Sequence, residues 1–253
     1  MLLFVSDFDG TLHINDTVDQ ETLDAIKLFR EKGHLFGIAT GRSLESIKNQ
    51  VRIYDIPVDF LIGNNGSVAV DEHDSFLFHH FMDFTKVHEI IDLLPKEEVL
   101  YYGISDGINV GLHDRLNNRS HPDISFVDMD KFLVNERAVG IFVKFQEDEQ
   151  AKKFALFLNE KYYDEIRAYH FYNYVDILNY GVTKKNGIIQ YKRIKNLHAK
   201  TYVIGDSFND IPMIKGFDGF AICSGEEEVI QRARMCFDNV GKALYHVMEE
   251  SEI

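Results

Sequence analysis

The alternation of apolar runs with amphipathic segments in the N-terminal third is the feature that most limits the possible folds. "LLFVS" (2–6), "HLFGIAT" (34–40) and "VDFLIGN" (58–64) are apolar runs of strand length. Asp19 and Ser43 each precede apolar residues at helical spacing and can cap a helix, so a helix is predicted after each. Apolar strands that alternate with helices predict a parallel sheet covered on both faces.

The middle of the chain departs from this pattern. A hairpin is predicted at "SVAVDEHDSFLFHHF" (67–81), residues 82–172 then have an α+β order with a long polar stretch, and the alternation returns with "VDILN" (175–179). We therefore predict an α/β fold in two domains. Residues 1–81 and 173–253 form the parallel-sheet core, and residues 82–172 form an inserted α+β domain that serves as a cap.

Composition limits the kind of partner. A formal charge of −14 disfavours a nucleic-acid or anionic-membrane surface, since both need clusters of Lys and Arg. Cys223 and Cys236 are too few for a disulfide framework and are expected to pack as small apolar groups. No apolar run reaches the length of a membrane span or a signal-peptide core. A reducing cytoplasm is the expected location.

Acidic residues follow two of the predicted strands. "FVSDFDGTL" presents Asp7 and Asp9, and "GDSFND" presents Asp206 and Asp210. Ligands of doubly wound sheets bind beyond the carboxyl ends of the strands, so we expect the four carboxylates to converge. Their mutual repulsion requires a hard cation, and oxygen ligands suit Mg²⁺. Such a cation also allows a small anionic substrate to approach.

This arrangement suits phosphoryl transfer. One carboxylate attacks phosphorus and forms an aspartyl-phosphate, while a second protonates the leaving alkoxide and later activates water. Asp7 and Asp9 can share the pocket because positions two apart on a strand lie on one side. Thr40, at the start of "TGRS", can donate a hydrogen bond to the phosphoryl group, and Lys184 in "GVTKKNG" can supply positive charge.

Four motifs carry a family resemblance. "DFDGT", "ATGR", "GVTKKNG" and "GDSFNDIPM" occur in this order. The chain resembles the haloacid dehalogenase (HAD) superfamily, and within it the Cof-type phosphatases of subfamily IIB, over essentially its whole length. The inserted segment lies where that subfamily carries its cap. The resemblance implies a Rossmann-like core.

The resemblance also implies catalytic roles. Asp7 is expected to be the nucleophile, Asp9 the general acid and base, and Thr40 and Lys184 the contacts to the phosphoryl group. The motif holds two adjacent lysines, and its position after "GVT" favours Lys184 over Lys185.

Metal and substrate ligands follow from the same resemblance. Mg²⁺ is expected to bind Asp7, the main-chain carbonyl of Asp9 and Asp206, with Asp210 supporting the metal or its waters. Asn65 and Ser207 are expected to lie in the pocket or to support it. Substrate binding is expected of Thr40, Gly41, Arg42, Lys184 and Asn209.

The predicted function is Mg²⁺-dependent hydrolysis of small phosphorylated metabolites, sugar phosphates first, by a monomer or homodimer. A phosphotransferase or mutase with the same nucleophile is one alternative. A non-catalytic sugar-phosphate sensor is another, although a binding protein gains nothing from a nucleophile beside an acid. The polar stretch 105–123, which includes Arg119, would select the substrate if it folds over the site, but an exposed loop is favoured.

Overall fold

The computed structural model describes residues 1–114 and 125–251, and these divide into two compact units. The first, which we call the core unit, comprises three segments of the chain, Met1–Arg42, Ile47–Leu77 and Thr183–Ile253. The second, the insert unit, comprises Ser43–Ser46 and Phe78–Val182.

The strands and helices of the described residues are numbered in chain order. The strands are β1 (Leu2–Ser6), β2 (Leu35–Ala39), β3 (Phe60–Gly63), β4 (Val68–Asp71), β5 (Phe76–His79), β6 (Val99–Ser105), β7 (Val110–Asp114), β8 (Phe126–Asp128), β9 (Gly140–Phe145), β10 (Ile166–Phe171), β11 (Tyr174–Asn179), β12 (Lys200–Gly205), β13 (Asp218–Ile222) and β14 (Cys236–Phe237). The helices are α1 (Gln20–Glu31), α2 (Leu44–Ile53), α3 (Phe84–Asp92), α4 (Met129–Leu133), α5 (Asp148–Lys161), α6 (Lys184–Ile194), α7 (Ile211–Gly216), α8 (Glu227–Ile230) and α9 (Val240–Ser251).

One eight-stranded sheet has the order β14-β13-β12-β1-β2-β3-β4-β5. Its strands are parallel from β14 to β3, and β4 turns back antiparallel on β3. β1 lies in the middle, where Val5 is in register with Val203 of β12 and Gly37 of β2. This confirms the predicted parallel sheet. The carboxyl ends of β1, β2 and β12 are therefore neighbours.

Local sequence signals account for the first helix. The carboxylate of Asp19 accepts a hydrogen bond from the backbone N–H of Thr22 at 2.8 Å, which satisfies one of the unpaired donors at the start of α1. Ile26 and Phe29 are fully buried on one face of this helix, as their spacing predicts. α1 packs on α9, where the N–H of Gly241 donates to the hydroxyl of Thr22 at 3.1 Å.

The insert unit has a six-stranded sheet of its own, in the order β10-β11-β9-β6-β7-β8. Its strands are antiparallel except for the pair β7 and β8. Helices α3 and α5 contribute Ile90 and Leu158 to an apolar cluster that includes Val143 and Ile177 of the sheet. The cluster has the composition of an independent hydrophobic core.

One strand belongs to a different sheet from the one predicted. "VDILN" (175–179), expected to begin the return to the parallel sheet, lies in β11 and pairs antiparallel with both β9 and β10. A short apolar strand fits either sheet, and its period does not identify its neighbours. The predicted boundary near residue 173 is therefore early, and the core unit resumes at Thr183.

Two further local expectations differ from the structure. Part of the polar stretch 105–123 forms the strand β7, while Arg119 lies outside the described residues. Cys223 and Cys236 form a disulfide, with their Cα atoms 5.0 Å apart, rather than packing separately. Within residues 1–114 and 125–251, no helix has both the length and the apolar character needed to cross a membrane.

Candidate active site

Three carboxylates meet at the carboxyl ends of β1 and β12. Asp7 follows β1, and its N–H donates to the carbonyl of Ile204 at 3.0 Å, which extends the ladder between the two strands. Asp206 follows β12, and Asp210 lies one turn further on. One oxygen from each of these three carboxylates lies within 4.8 Å of the other two. The convergence predicted for Asp7, Asp206 and Asp210 is therefore present in the structure.

The turn after β12 fixes the carboxylate of Asp210. Its Oδ2 accepts hydrogen bonds from the backbone N–H groups of Asp206 and Ser207, both at 3.1 Å. A Cβ at Gly205 would lie 2.4 Å from Asp210 Cγ, so only glycine leaves room for this side chain. Asp210 is fully buried as a result.

The turn after β1 brings the chain against Asp206. Gly10 has φ +77° and a Cβ on it would lie 2.4 Å from Asp206 Oδ2, so this position requires glycine on both counts. The hydroxyl of Thr11 donates to Asp206 Oδ1 at 2.6 Å. Sequence reasoning did not identify Thr11, although it is the last residue of the motif "DFDGT".

Lys184 lies among the carboxylates. Thr183 caps α6 by accepting a hydrogen bond from the N–H of Asn186, which makes Lys184 the first residue of the helix. Its Nζ lies 2.7 Å from Oδ1 of Asp7 and 2.7 Å from Oδ1 of Asp210. The structure thus distinguishes the two lysines of the motif, because the side chain of Lys185 instead lies beside Gly216.

Burial and mutual repulsion disfavour the charged forms of the carboxylates in the cluster. Burial, and then the carboxylate of Asp210, raise the pKa of Asp7 well above its ordinary value, although Lys184 opposes the change. Burial raises the pKa of Asp206 to about 6, against the hydrogen bond from Thr11. For Lys184, burial lowers the pKa, but the carboxylates of Asp210 and Asp7 outweigh it and raise the pKa.

The charge of the cluster fits a divalent cation. When the three carboxylates and Lys184 are all ionised, three negative charges face one positive charge. The excess of two negative charges is what a divalent cation would neutralise, and a set of carboxylate oxygens suits Mg²⁺. The residues present therefore fit the group that the sequence predicts.

Asp9 lies apart from this cluster, so the prediction that all four carboxylates converge is wrong for Asp9. Its carboxylate accepts two hydrogen bonds from the guanidinium of Arg42, from Nε at 2.8 Å and from Nη2 at 2.7 Å. The Asp9 side chain is 51% exposed, and the Arg42 guanidinium lies over the ring of Phe8 at 5.1 Å. The two acids of the first motif therefore have opposite environments. Asp7 is buried among charges, and Asp9 is open to solvent on one side.

The remaining predicted residues lie in the loops after β2 and β3, except that Asn209 lies in the turn after β12. Thr40 is buried, and its hydroxyl accepts a hydrogen bond from the N–H of Arg42 at 3.2 Å. Its carbonyl accepts one from the N–H of Asn65 at 2.9 Å. The side-chain amide of Asn209 donates to Asn65 Oδ1 at 3.1 Å. A Cβ on Gly41 would lie 3.4 Å from the Asn65 side chain, so the "ATGR" loop passes directly beside it.

A family model of haloacid dehalogenase-like hydrolases matches residues 4–247. The chain belongs to this family. The family that the four motifs predict is thereby confirmed, and the chain is a hydrolase of the HAD type. All the site residues described in this subsection fall inside the match.

Individual relatives of this family are distant in sequence. The 5-amino-6-(5-phospho-D-ribitylamino)uracil phosphatase YitU of Bacillus subtilis is 21% identical over 236 residues, which cover 88% of this chain and 86% of that protein. A HAD/COF-like hydrolase from Plasmodium vivax has a TM-score of 0.83 at 21% identity, covering 98% of this chain and 95% of that one. The HAD subclass IIB sugar phosphatase BT4131 has a TM-score of 0.79 at 22% identity, covering 98% and 99%. These structural matches show that the HAD fold is shared.

Proposed function

We propose that the protein is a phosphatase that uses Mg²⁺ to hydrolyse phosphomonoesters of small metabolites, with sugar phosphates as the first class to test. The observation that carries the proposal is the buried cluster of Asp7, Asp206 and Asp210 around Lys184. The names of YitU and BT4131, both phosphatases, support the reaction class. The formal charge of −14 favours a small substrate over a nucleic acid or an anionic membrane, and the proposed location is the cytoplasm.

In this proposal Asp7 attacks phosphorus in line and forms an aspartyl-phosphate. Burial favours the neutral form of Asp7, so its ionisation depends on Lys184, whose ammonium lies 2.7 Å from the carboxylate. Bound Mg²⁺ would supply positive charge to the carboxylates and to the phosphoryl oxygens. Lys184 adds a fixed positive charge at the end of β1.

Asp9 moves the proton. It protonates the leaving alkoxide when the phosphoryl group is transferred and then accepts a proton from the water that hydrolyses the aspartyl-phosphate. Because the Asp9 side chain is half exposed, it can exchange protons with solvent, whereas Asp7 is buried and has little contact with solvent. Arg42 holds the Asp9 carboxylate by two hydrogen bonds and so orients it. We assign the Thr40 hydroxyl, buried at the end of β2, to the phosphoryl oxygens.

The test is inorganic phosphate release from a panel of sugar phosphates, nucleotides and 5-amino-6-(5-phospho-D-ribitylamino)uracil, with Mg²⁺ or EDTA. Release should require Mg²⁺ and fall by at least about a thousandfold in Asp7→Asn, because the nucleophile is lost. Asp218→Asn, which changes a partly exposed aspartate at the start of β13, is the matched control. Near-normal release by Asp7→Asn would contradict the proposal, and release that persists in EDTA would exclude the role of Mg²⁺.

A further inference from the structure

The disulfide between Cys223 and Cys236 joins two strands at one edge of the eight-stranded sheet. Cys223 directly follows β13, and Cys236 begins β14, which has only two residues and pairs with β13 alone. The N–H of Cys223 donates to the carbonyl of Phe237 at 2.9 Å, and the N–H of Ala221 donates to the carbonyl of Met235 at 3.1 Å. So short an edge strand has few hydrogen bonds, and the disulfide adds a covalent link to β13 beside the packing of Phe237 on Phe220.

The segment enclosed by the disulfide reaches the acidic cluster. The N–H of Glu226 donates to the main-chain carbonyl of Asp206 at 2.8 Å. A Cβ on Gly225 would lie 2.8 Å from the carbonyl oxygen of Asp206 and 2.9 Å from its Cα, so the two backbones are in direct contact. The enclosed loop thus supports Asp206 from behind, while Thr11 holds its carboxylate from the front.

The disulfide is accessible to a reductant. Cys223 is exposed and Cys236 is partly buried, unlike the disulfide of a sealed core. In a reducing compartment, which the composition predicts, a disulfide usually has a transient, catalytic or sensing role. A partly exposed pair at a two-residue edge strand fits such a role better than a purely structural one.

We propose that Cys223 and Cys236 form a reversible thiol–disulfide exchange site whose redox state sets the affinity of the acidic cluster for a divalent cation. In the oxidised form the loop 224–235 is closed and Glu226 holds the carbonyl of Asp206. In the reduced form β14 separates more readily from β13, the contact with Asp206 weakens, and the cation binds less tightly. The part that concerns the cation rests on the proposed Mg²⁺ site.

The exchange needs a dithiol as the reductant. One thiolate of the dithiol attacks Sγ of Cys223, which breaks the Cys223–Cys236 bond and releases Cys236 as a thiolate that takes up a proton. The second thiol of the reductant then displaces Cys223 from the mixed disulfide. Two electrons and two protons pass to the cysteine pair, and the dithiol leaves as its own disulfide.

The experiment compares the oxidised full-length protein with the same protein reduced by dithiothreitol. Alkylation and mass spectrometry count the free thiols, hydrogen exchange reports the amide of Glu226, and calorimetry measures the Kd for Mg²⁺. Reduction should speed exchange at Glu226 and raise the Kd by about tenfold, the scale of losing a group that supports a metal ligand. The double variant Cys223→Ser, Cys236→Ser should resemble the reduced protein and be insensitive to dithiothreitol. Ser224→Ala, which keeps both cysteines, should behave like the wild type.

Two results would overturn the proposal. One is full alkylation of both cysteines without any reductant after exposure to an oxidised dithiol, which would show that the disulfide does not form. The other is an unchanged rate of hydrogen exchange at the Glu226 amide, together with an unchanged Kd for Mg²⁺, after confirmed reduction. If Mg²⁺ fails to bind even the oxidised protein, the proposed metal site is wrong. In that case the rate of hydrogen exchange at the Glu226 amide still decides whether the disulfide supports the Asp206 backbone.

Discussion

The core unit and the insert unit both bury apolar side chains, but they differ in the charged groups that they bury. The core unit places three carboxylates, of which Asp7 and Asp210 are buried, beside the buried Lys184. The insert unit buries an apolar cluster that includes Leu158, and the ion pairs of its Lys86 with Glu89 and Glu165 lie at the surface. Buried charges cost free energy unless they are paired, whereas buried apolar side chains stabilise a fold directly. The comparison indicates that the core unit loses stability by burying the charged groups of the candidate active site, whereas the insert unit has no such loss in its apolar cluster.

The sharpest test of this contrast is to remove the buried ammonium. Lys184→Met leaves the carboxylates of Asp7 and Asp210 without their cation, so the free energy of unfolding in EDTA should fall by about 3–5 kcal/mol. Lys185→Met is the matched control, and its effect should stay within about 0.5 kcal/mol because it touches no carboxylate of the cluster. Urea denaturation measures both. Equal losses in the two variants would show that Lys184 does not hold the cluster together.

The corresponding test in the insert unit uses its apolar cluster. Leu158→Ala removes a fully buried side chain of α5 and should lower the free energy of unfolding by about 3 kcal/mol. Leu156→Ala, on the same helix and 61% exposed, should have little effect. Neither change should alter the Kd for Mg²⁺ measured by calorimetry in the folded protein. A changed Kd for Mg²⁺ would show that the apolar cluster of the insert unit also affects the proposed metal site, which contradicts separate roles for the two units.

A smaller effect is expected from pH. Because the pKa of Asp206 rises to about 6 in the folded protein, its proton is held more tightly there than in the unfolded chain. The contribution of Asp206 to stability in EDTA is therefore complete below about pH 4 and falls by about 2–3 kcal/mol between pH 4 and pH 6. Asp206→Asn should remove this part of the pH dependence, and Asp218→Asn should not. A wild-type stability that rises over this range relative to Asp206→Asn would contradict the assignment.

The same proton competes with the metal. Below about pH 6 the cation must displace a proton from Asp206, so binding should release protons and weaken as the pH falls. Calorimetry in buffers of different ionisation enthalpy counts the protons released. Binding without proton release at pH 5.5 would mean that Asp206 is already ionised there.

The sequence predicts the core unit better than the insert unit for a physical reason. In the core unit, the ends of parallel strands bring residues together that are distant in the chain. The motifs at Asp7 and Asp206 mark two of those ends, and the motif at Lys184 marks the start of α6. The sequence does not reveal that Arg42 holds Asp9, because that pairing depends on side-chain geometry. Nor does it show that Gly225 supports Asp206, since no pattern relates a loop to the backbone it contacts.

In the insert unit, the period of the strands identifies their type but not their order. "VDILN" has the same alternation whether it joins a parallel or an antiparallel sheet, so its pairing with β9 and β10 was not predictable. The strand β7 was missed because its sequence, "VGLHD" (110–114), combines a glycine with polar residues. Neighbours on adjacent strands decide such cases, and they are set by tertiary packing.

The most direct test of the central claim is to locate the phosphoryl group on the protein. Asp9→Asn should still react with an aryl phosphate, whose leaving group needs no acid, but should hydrolyse the intermediate slowly because the base is missing. Acid quenching followed by peptide mass spectrometry should therefore find phosphate on Asp7. Aryl alcohol release with no phosphopeptide, or with phosphate on Asp206 or another residue, would contradict the claim that the buried acid of the first motif is the nucleophile.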